Sequence, residues 1–341
     1  MGEISTIGLD LAKHVFQVHG VDEEGSVVVR KQLRRSAVLK FFAQLGPCTV
    51  GLEACASAHY WAREIAALGH RVKLMPPAYV KPYVKRGKND AADAEAICEA
   101  VMRPTMRFVP VKSAEQQAQA MIYKVRELLV RQRTQLINAL RSHLAEMGIV
   151  AAQGTSKLEQ LIAVVRDPDD RRLPAAARGA LQELVRQIEA LEARLDPLDR
   201  EIAAQVRASA AGRRLAGVPG IGPIVAGALL AMVPDPGGFR SARHFAAWLG
   251  FAPRQNSSGG KQRLGSISKQ GNRYLRSLLI LGARNVLCRN ASPSAWLTAL
   301  RARRPFRVAA VALAHKTARI VWALLVKGGT YRAATPAVAA S

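Results

Sequence analysis

Four acidic residues, Asp10, Glu53, Asp90 and Asp93, have the types and positions in this chain that best suit catalysis. Asp10 and Glu53 each end a short apolar run that is predicted to be a buried strand. Asp90 and Asp93 begin a helical stretch, and their spacing places both on one helix face. Because clustered carboxylates repel one another, the four acids predict a bound divalent cation. In so basic a chain, the substrate of such a metal would be a phosphodiester.

The order of predicted elements supports this grouping. Up to Pro104 the chain is predicted to run β-β-β-α-β-α-β-α. This is the order of the ribonuclease-H-like fold, whose nucleases hold metal with acids on the first strand, the fourth strand and the last helix. Taken singly, Asp10, Asp90 or Asp93 is better explained as a turn or capping residue. The placement of all four acids on the expected elements favours a metal site.

The net charge of +25 is concentrated in the C-terminal part of the chain. Residues 206–341 contain 21 lysines and arginines and one acid, Asp235, whereas the first 205 residues contain 29 basic and 24 acidic residues. Such a field attracts polyanions, and nucleic acid is the predicted partner. An inert basic surface is the weaker alternative, because solubility does not require the exclusion of nearly every acid.

A membrane is the other polyanion, and the sequence argues against it. No basic region followed by an apolar stretch is found at the N-terminus. The apolar segments 221–233 and 308–326 are short or interrupted by polar residues, so both are predicted to be buried helices. The four cysteines have neither a CxxC pair nor a metal-ligand spacing. A cytoplasmic protein with reduced thiols, associated with the nucleoid when bound to DNA, is therefore expected.

The middle of the chain is predicted to be largely helical. Residues 113–147 form a long amphipathic helix, whose cations either follow a phosphate backbone or face solvent. Apolar residues repeat every seven positions from Leu181 to Ile202, which predicts a coiled coil with a helix of this chain or of a second copy. Pro197 lies inside the repeat and predicts a kink or a break. Residues 148–176 have the weakest pattern and are predicted to be a mobile linker.

Two glycine-rich segments lie in the basic C-terminal part. The sequence VPGIGP (218–223), followed by an apolar helix, resembles a helix-hairpin-helix element, in which glycines let backbone amides approach a DNA phosphate. A plain helix N-terminus with an early proline is the alternative. The second segment, SSGG (257–260), lies among cations, as phosphoryl transfer to a protein hydroxyl would require. From composition alone, however, a flexible linker is the better explanation of this segment.

Together these residues resemble the DEDD transposases of insertion-sequence family 110/1111, relatives of the Piv DNA invertases. The resemblance spans nearly the whole chain, and its motifs are weak singly but specific in this order. They are GLDLAK (8–13), EACAS (53–57), KNDAADA (88–94), PGIG (219–222), FAAWLGFAP (245–253), SG (258–259) and SKQGN (268–272).

The resemblance implies three domains. These are a RuvC-like, ribonuclease-H-like α/β catalytic domain at 1–150, a linker and coiled coil at 151–205, and a mostly α-helical transposase domain at 206–341. The helix-hairpin-helix-like element and the nucleophilic serine belong to the last of these. Family members use a bridge RNA from the ends of their element to choose donor and target DNA. They act as tetramers, in which the acids of one protomer meet the serine of another. This chain is therefore expected to be a homo-oligomer, a dimer to a tetramer.

The resemblance also implies the site residues. Asp10, Glu53, Asp90 and Asp93 match the family's ligands for Mg²⁺ or Mn²⁺. Ser258 matches the nucleophile, with the neighbouring Ser257 as the alternative register. Cys55 and Ala56 stand where a threonine and a glycine usually follow the glutamate, which changes the surroundings of the ligands and not the ligands.

The expected reaction is DNA cutting and rejoining through a phosphoserine intermediate. Basic residues near the serine are expected to hold phosphates, an assignment made from position: Arg254, Lys261, Arg263, Lys269 and Arg273. The chief alternative is a RuvC-like nuclease of the Holliday-junction-resolvase type, in which water attacks and Ser258 lies in a linker. A nucleic-acid-binding protein without catalysis ranks last, because four clustered acids without a metal would cost stability.

Overall fold

The structure, a computed structural model, describes residues 3–85, 89–289 and 294–332 of the 341-residue chain. Lys88, the first residue of the KNDAADA motif, lies outside the described residues. The chain forms two compact units, Met1–Gln117 and Ala118–Ser341.

The first unit is built on a five-stranded mixed sheet. Its strands and helices are β1 (Thr6–Asp10), β2 (Val15–Val21), β3 (Val27–Arg34), α1 (Val38–Ala43), β4 (Thr49–Glu53), α2 (Ala58–Ala67), β5 (Arg71–Met75), α3 (Pro77–Val80) and α4 (Asp90–Val101). The strand order is β3-β2-β1-β4-β5. The pairs β3-β2 and β2-β1 are antiparallel, and the pairs β1-β4 and β4-β5 are parallel.

Alternating side chains place helices on both faces of this sheet. Ile7 and Leu9 of β1 are fully buried in a core that includes Trp61 and Ile65 of α2. Gly8, between them, points to the opposite face and contacts α4. The element order and the mixed sheet confirm the predicted ribonuclease-H-like α/β fold of the N-terminal part.

The second unit is mostly helical, as predicted. Its elements are α5 (Ala114–Glu146, which begins before the boundary), α6 (Thr155–Arg166), α7 (Ala175–Ala208), α8 (Ala210–Ala216), α9 (Pro223–Met232), α10 (Ala242–Trp248), β6 (Pro253–Gln255), β7 (Leu264–Ile267), α11 (Arg273–Arg289), α12 (Ala295–Arg303) and α13 (Phe306–Lys327). The strands β6 and β7 pair as an antiparallel hairpin. The main core of this unit gathers apolar residues of α7 to α11 and α13.

The heptad repeat of α7 pairs with α5 of the same chain. Arg126 of α5 forms an ion pair with Asp199 of α7 at 2.5 Å, and Arg133 forms one with Glu192 at 3.8 Å. The partners step by seven residues in opposite directions, as in an antiparallel coiled coil. Pro197 does not break α7, which continues from Ala175 to Ala208. The predicted break is therefore wrong, because packing along the helix outweighs the hydrogen bond that a proline removes.

The stretch predicted to be a linker contains a packed helix. In α6, Leu158, Leu161 and Val165 are buried together with Leu140 of α5 and Ile188 of α7. Their spacing of three and four residues is the mark of an amphipathic helix. The linker prediction failed because the two nearby prolines and the short helix obscured this period.

The VPGIGP segment forms the turn between α8 and α9. Gly220 has a φ of +85°, and a Cβ there would lie 2.9 Å from the carbonyl oxygen of Gly282 in α11. Gly220 is therefore required for the close packing of this turn on α11. This packing role is independent of the predicted contact with a DNA phosphate.

One helix within the described ranges, α13, is long and apolar enough to cross a membrane. Its residues Ala314, Ala318 and Val321 are buried in the core of the second unit, and its middle carries Lys316. Burial of this kind is typical of the core helix of a globular domain, so the helix is weak evidence for a membrane.

Candidate active site

Asp10 and Glu53 lie side by side because they end neighbouring parallel strands. The register of β1 and β4 pairs Leu9 with Leu52, so the next residue of each strand is one of the two acids. Both acids are partly buried at the same edge of the sheet. The sheet backbone therefore fixes two of the four predicted ligands.

Glycine lets α4 lie against the sheet with almost no gap. A Cβ atom at Gly8 would lie 2.1 Å from the carbonyl oxygen of Ala94, and one at Gly51 would lie 2.8 Å from the Cβ of Val101. Real Cβ atoms do not come so close, so only glycine fits at either position. The distance from β1 to α4 is consequently set by contact between main chains.

The first turn of α4 carries the other two acids. The side chain of Asn89 caps the helix by accepting a hydrogen bond from the amide of Ala92 at 2.8 Å. Asp90 and Asp93 follow the cap, and acidic residues are favourable in the first turn because of the helix dipole. This turn lies directly over the end of β1.

The result is a cluster of three carboxylates. Asp10, Asp90 and Asp93 each place one oxygen within 4.8 Å of those of the other two. Glu53 lies outside this mutual distance, although its charge is close enough to raise the pKa of Asp10. Three of the four acids predicted to bind metal are thus brought together, and the fourth lies beside them.

Burial and crowding change the protonation of two of these acids. The pKa of Asp10 is raised from 3.8 to about 6, first by burial and then by the charges of Asp93, Asp90 and Glu53. The pKa of Glu53 is also raised, by burial and by the charge of Asp93. Within the described residues, no positive charge is among the causes of either shift, and crowded carboxylates of this kind are typical of cation sites.

The segment that follows Glu53 turns sharply into α2. Ser57 takes a left-handed backbone conformation, with a φ of 67°, which is uncommon outside glycine. Cys55 lies in this turn and is exposed overall, but partial desolvation of its sulfur and then the charges of Glu53 and Asp10 raise the pKa of its thiol. The substitution of cysteine for threonine thus lies beside the acids without belonging to their cluster.

Ser258 lies at the tip of the β6–β7 hairpin. The amide of Lys261 donates a hydrogen bond to the carbonyl oxygen of Ser258 at 3.0 Å, closing a two-residue turn. The turn residues Gly259 and Gly260 have φ values of +55° and +74°, the pattern of a type I′ hairpin turn. The SSGG segment is therefore an ordered hairpin turn, and the linker interpretation favoured by composition is wrong.

The two serines of this turn have different surroundings. The Ser257 hydroxyl accepts hydrogen bonds from the Gln255 side chain and from the Arg263 amide, both at 3.1 Å. It thereby ties the two strands together. The hydroxyl of Ser258 is exposed and has no hydrogen-bond partner among the described residues. Of the two hydroxyls, the one on Ser257 is held by described hydrogen bonds and the one on Ser258 is not.

A buried arginine holds both ends of the hairpin. Arg276 of α11 is 7% exposed, and its Nη1 donates to the carbonyl oxygens of Leu249 at 2.9 Å and Gln270 at 2.7 Å. Leu249 precedes β6 and Gln270 follows β7. Hydrogen bonds from a buried cation are strong, so Arg276 fixes the base from which the serine projects.

Comparison with known proteins agrees with this geometry. Residues 7–149 match the family model of DEDD transposases of the IS110 type, and residues 212–296 match the model of the transposase IS116/IS110/IS902 family. The chain is 54% identical to a "Probable family 20 transposase" of Pseudomonas aeruginosa, over 96% of this chain and 99% of that protein. The chain belongs to this transposase family.

Two further relatives come from named insertion sequences. The chain is 38% identical to the transposase of IS1111A from Coxiella burnetii, over 97% of this chain and 92% of that protein. It is 37% identical to the transposase of IS1328 from Yersinia enterocolitica, over 97% and 99%. The family resemblance inferred from the motifs is confirmed. A transposase recombines DNA, so DNA is the substrate.

Exposed cations lie in the hairpin that carries Ser258 and in the residues that follow it. The side chains predicted to hold phosphates all lie exposed around the hairpin: Arg254, Lys261, Arg263, Lys269 and Arg273. Within the described ranges, none of them forms an ion pair with a carboxylate. Their charges are therefore available to a polyanion.

Sequence reasoning missed three residues that position the site. Gly8 and Gly51 set the approach of α4, and Arg276 fixes the hairpin. Gly8 lies within the GLDLAK motif, and this motif was the sequence feature that could have indicated its role. Nothing in the local sequence of Arg276 distinguishes it from the many exposed arginines of this region.

Metal-free transposase should lose stability as the pH rises from about 4 to about 6. Over this range folded Asp10, whose pKa is about 6, holds a proton that the unfolded chain has released. Ionising it in the fold costs about 1–2 kcal/mol, allowing for its partial exposure. In EDTA at pH 7, Asp10→Asn should therefore unfold at a higher temperature than wild type, with the gap closing towards pH 4. Glu24→Gln, in an exposed turn, should unfold at the same temperature as wild type. An equal rise in the unfolding temperature of both variants would contradict the raised pKa of Asp10.

Proposed function

We propose that this transposase cuts and rejoins DNA through a phosphoserine intermediate formed by Ser258, with Mg²⁺ held by Asp10, Glu53, Asp90 and Asp93. The observation that carries the proposal is the cluster of Asp10, Asp90 and Asp93, whose oxygens lie within 4.8 Å of one another. None of the three carboxylates forms an ion pair with a described residue, and such a cluster of like charges would cost stability without a bound cation.

The donor set fits a hard divalent cation. Mg²⁺ binds oxygens at about 2.0–2.1 Å, so two ligands of one ion lie at most about 4 Å apart. The three carboxylates reach this separation with small side-chain movements from 4.8 Å. Glu53, at the end of the adjacent strand, is the nearest further carboxylate and would complete the set. Oxygen ligands alone also suit Mn²⁺.

The proposed reaction uses the metal held by the acid cluster and the hydroxyl of Ser258. When bound, the metal would polarise the scissile phosphate and favour ionisation of the attacking hydroxyl. The Ser258 oxygen attacks phosphorus, one phosphodiester bond breaks, and the leaving DNA oxygen takes up a proton as a free hydroxyl. A DNA hydroxyl then attacks the phosphoserine and releases Ser258, so strands are exchanged without net hydrolysis. The exposed cations beside Ser258 would stabilise charge on the phosphate oxygens.

The partners belong to the same proposal. Family resemblance and the basic C-terminal half support donor and target DNA chosen by a bridge RNA from the element's own ends. The acids and the serine lie in different units, so the proposal requires that they meet at one phosphate, in one chain or between protomers of a dimer or tetramer. The division into 1–150, 151–205 and 206–341 and a nucleoid-associated cytoplasmic location are proposed on the same basis.

A trapping experiment tests this function. The full chain would be incubated with labelled DNA carrying the element's ends, the RNA transcribed from those ends and Mg²⁺, and then denatured. The proposal requires label that stays with the protein after denaturation and appears as phosphoserine after hydrolysis, with none formed in EDTA. Cleaved DNA without any protein-linked label would instead establish the nuclease alternative, because water leaves no covalent intermediate.

A further inference from the structure

A second concave site lies in the first unit, outside the acid cluster. The cavity has a volume of about 730 Å³, within the usual range for small-ligand pockets. It is formed by the start of β2, the end of β3, the residues that lead from β3 into α1, and α2. Its polar and aromatic lining includes His14, Arg34, Arg35, Tyr60 and Trp61.

The cavity is positively charged and uncompensated. No acidic residue lines it. Arg34 and Arg35 are exposed, and within the described part of the chain neither guanidinium has a carboxylate or hydrogen-bonding partner. Two adjacent free guanidinium groups present donors in the planar arrangement that binds a phosphate.

Aromatic side chains form the adjoining wall. Trp61 is 3% exposed and packs edge-to-face on Phe16, with ring centres 5.0 Å apart. The Arg35 guanidinium lies 5.0 Å from the Trp61 ring centre, a cation–π contact that orients it. Tyr60 packs edge-to-face on Trp61 at 5.3 Å and is 42% exposed, so a large ring is held open to solvent on a rigid support.

The cavity lies near the edge of the sheet that carries Asp10. Asp10 pairs with Gln17 of β2, and Val15, two residues away in β2, pairs with Arg34 of β3. With strands about 4.8 Å apart, β3 lies roughly 10 Å from β1 along the sheet. The cavity opens on the face of the sheet that carries α1 and α2, whereas Asp10 and the first turn of α4 lie on the opposite face, so the two sites share one end of the sheet but not one face.

We infer that this cavity binds one unpaired nucleotide of a nucleic-acid strand, with its base stacked on Tyr60 and its phosphate held by Arg34 and Arg35. The nucleotide must be unpaired, because a base in a duplex has both faces covered by its neighbours. RNA and DNA offer the same base and phosphate chemistry. The inference takes from the proposed function only that the protein acts on nucleic-acid strands.

Binding of short strands in EDTA tests the inference without requiring catalysis. Fluorescein-labelled single-stranded 12-mers of RNA and of DNA, and a 12-base-pair duplex, would be titrated with the full chain. Tyr60→Ala should weaken single-strand binding about 5- to 100-fold, the usual range for one stacked base. The matched control is Tyr79→Ala, which removes a tyrosine that is 40% exposed elsewhere in the same unit.

The charge is tested separately. Arg34→Gln combined with Arg35→Gln should reduce the slope of log affinity against log salt by about 0.7 for each phosphate that the arginines no longer neutralise. Lys31→Gln combined with Lys40→Gln removes the same charge from exposed positions outside the cavity and should change the slope less. Circular dichroism confirms that each variant is folded.

The outcomes separate cleanly. The inference is supported if the cavity variants bind single-stranded RNA, or single-stranded DNA, more weakly than the control variants do. The strand that loses affinity identifies whether the nucleotide comes from RNA or from DNA. Weakening equal to that of the controls, or confined to the duplex, overturns it. Because neither metal nor Ser258 takes part, this assay can succeed where the trapping experiment fails, and the reverse.

Discussion

Replacing Ser258 with alanine should abolish the protein–DNA adduct and lower strand exchange at least about 10³-fold, because the covalent step loses its attacking oxygen. The hydroxyl has no partner within the described residues and the position is exposed. Its removal should therefore change the free energy of unfolding by no more than about 0.5 kcal/mol. DNA affinity should stay within about twofold of wild type, since the surrounding cations are unchanged. Denaturing gels and a DNA-binding titration measure these effects.

Ser257→Ala is the matched control one residue away. It removes the acceptor of two hydrogen bonds, of which the one from the Arg263 amide joins the two sides of the hairpin, so adduct should still form, about 3- to 30-fold more slowly. If Ser257→Ala eliminated the adduct and Ser258→Ala retained it, Ser257 would be the nucleophile. If both variants formed as much adduct as wild type, neither serine of the hairpin would be the nucleophile.

The second large effect is expected at the acid cluster. Asp10→Asn should lower the rate of DNA cleavage about 10³-fold or more, since the amide lacks the charge that holds a divalent cation. Asp93→Asn should have a similar effect, because Asp93 shares the 4.8 Å cluster and is the neighbouring charge that raises the pKa of Asp10 most. Glu53→Gln should cost less, about 10- to 100-fold, because Glu53 lies outside the three-acid group. Cleavage rates at several Mg²⁺ concentrations check this ranking.

Glu99→Gln, on the same helix, is the control for loss of an acidic charge. Among the described residues, Glu99 forms only long ion pairs, at 4.0 Å with Lys85 and 3.9 Å with Arg103, so this variant should keep the cleavage rate within about twofold of wild type. Since Asp10→Asn is expected to stabilise the metal-free fold at pH 7, its loss of activity cannot be assigned to unfolding. If the Asp10→Asn variant cleaved DNA at the wild-type rate, the proposed metal site would be refuted.

The N-terminal fold was predictable because its signals are local and strong. The strands and helices follow the predicted order, and α4 begins at Asp90 as expected. Parallel pairing then brings acids at the ends of β1 and β4 together. That Glu53 stands slightly apart from the other acids depends on side-chain position, which no spacing rule supplies.

The C-terminal part was predicted less well, for two physical reasons. The type I′ geometry at Gly259 and Gly260 depends on strands as short as three residues, which have too few residues to show a period. The role of Arg276 arises from burial by distant segments, and sequence cannot distinguish one arginine among 21 basic residues on that ground. The survival of α7 across Pro197 likewise reflects tertiary packing that overrides local propensity.

The contact between Gly8 and α4 has a consequence for the fate of the mobile element. A single nucleotide substitution that converts the Gly8 codon to one for alanine or valine would push α4 off the sheet and pull Asp90 and Asp93 away from Asp10. Such a genomic copy would retain every acid and Ser258, yet would no longer transpose. A genome survey that identifies active elements by their acidic motifs alone would therefore count this inactive copy as active.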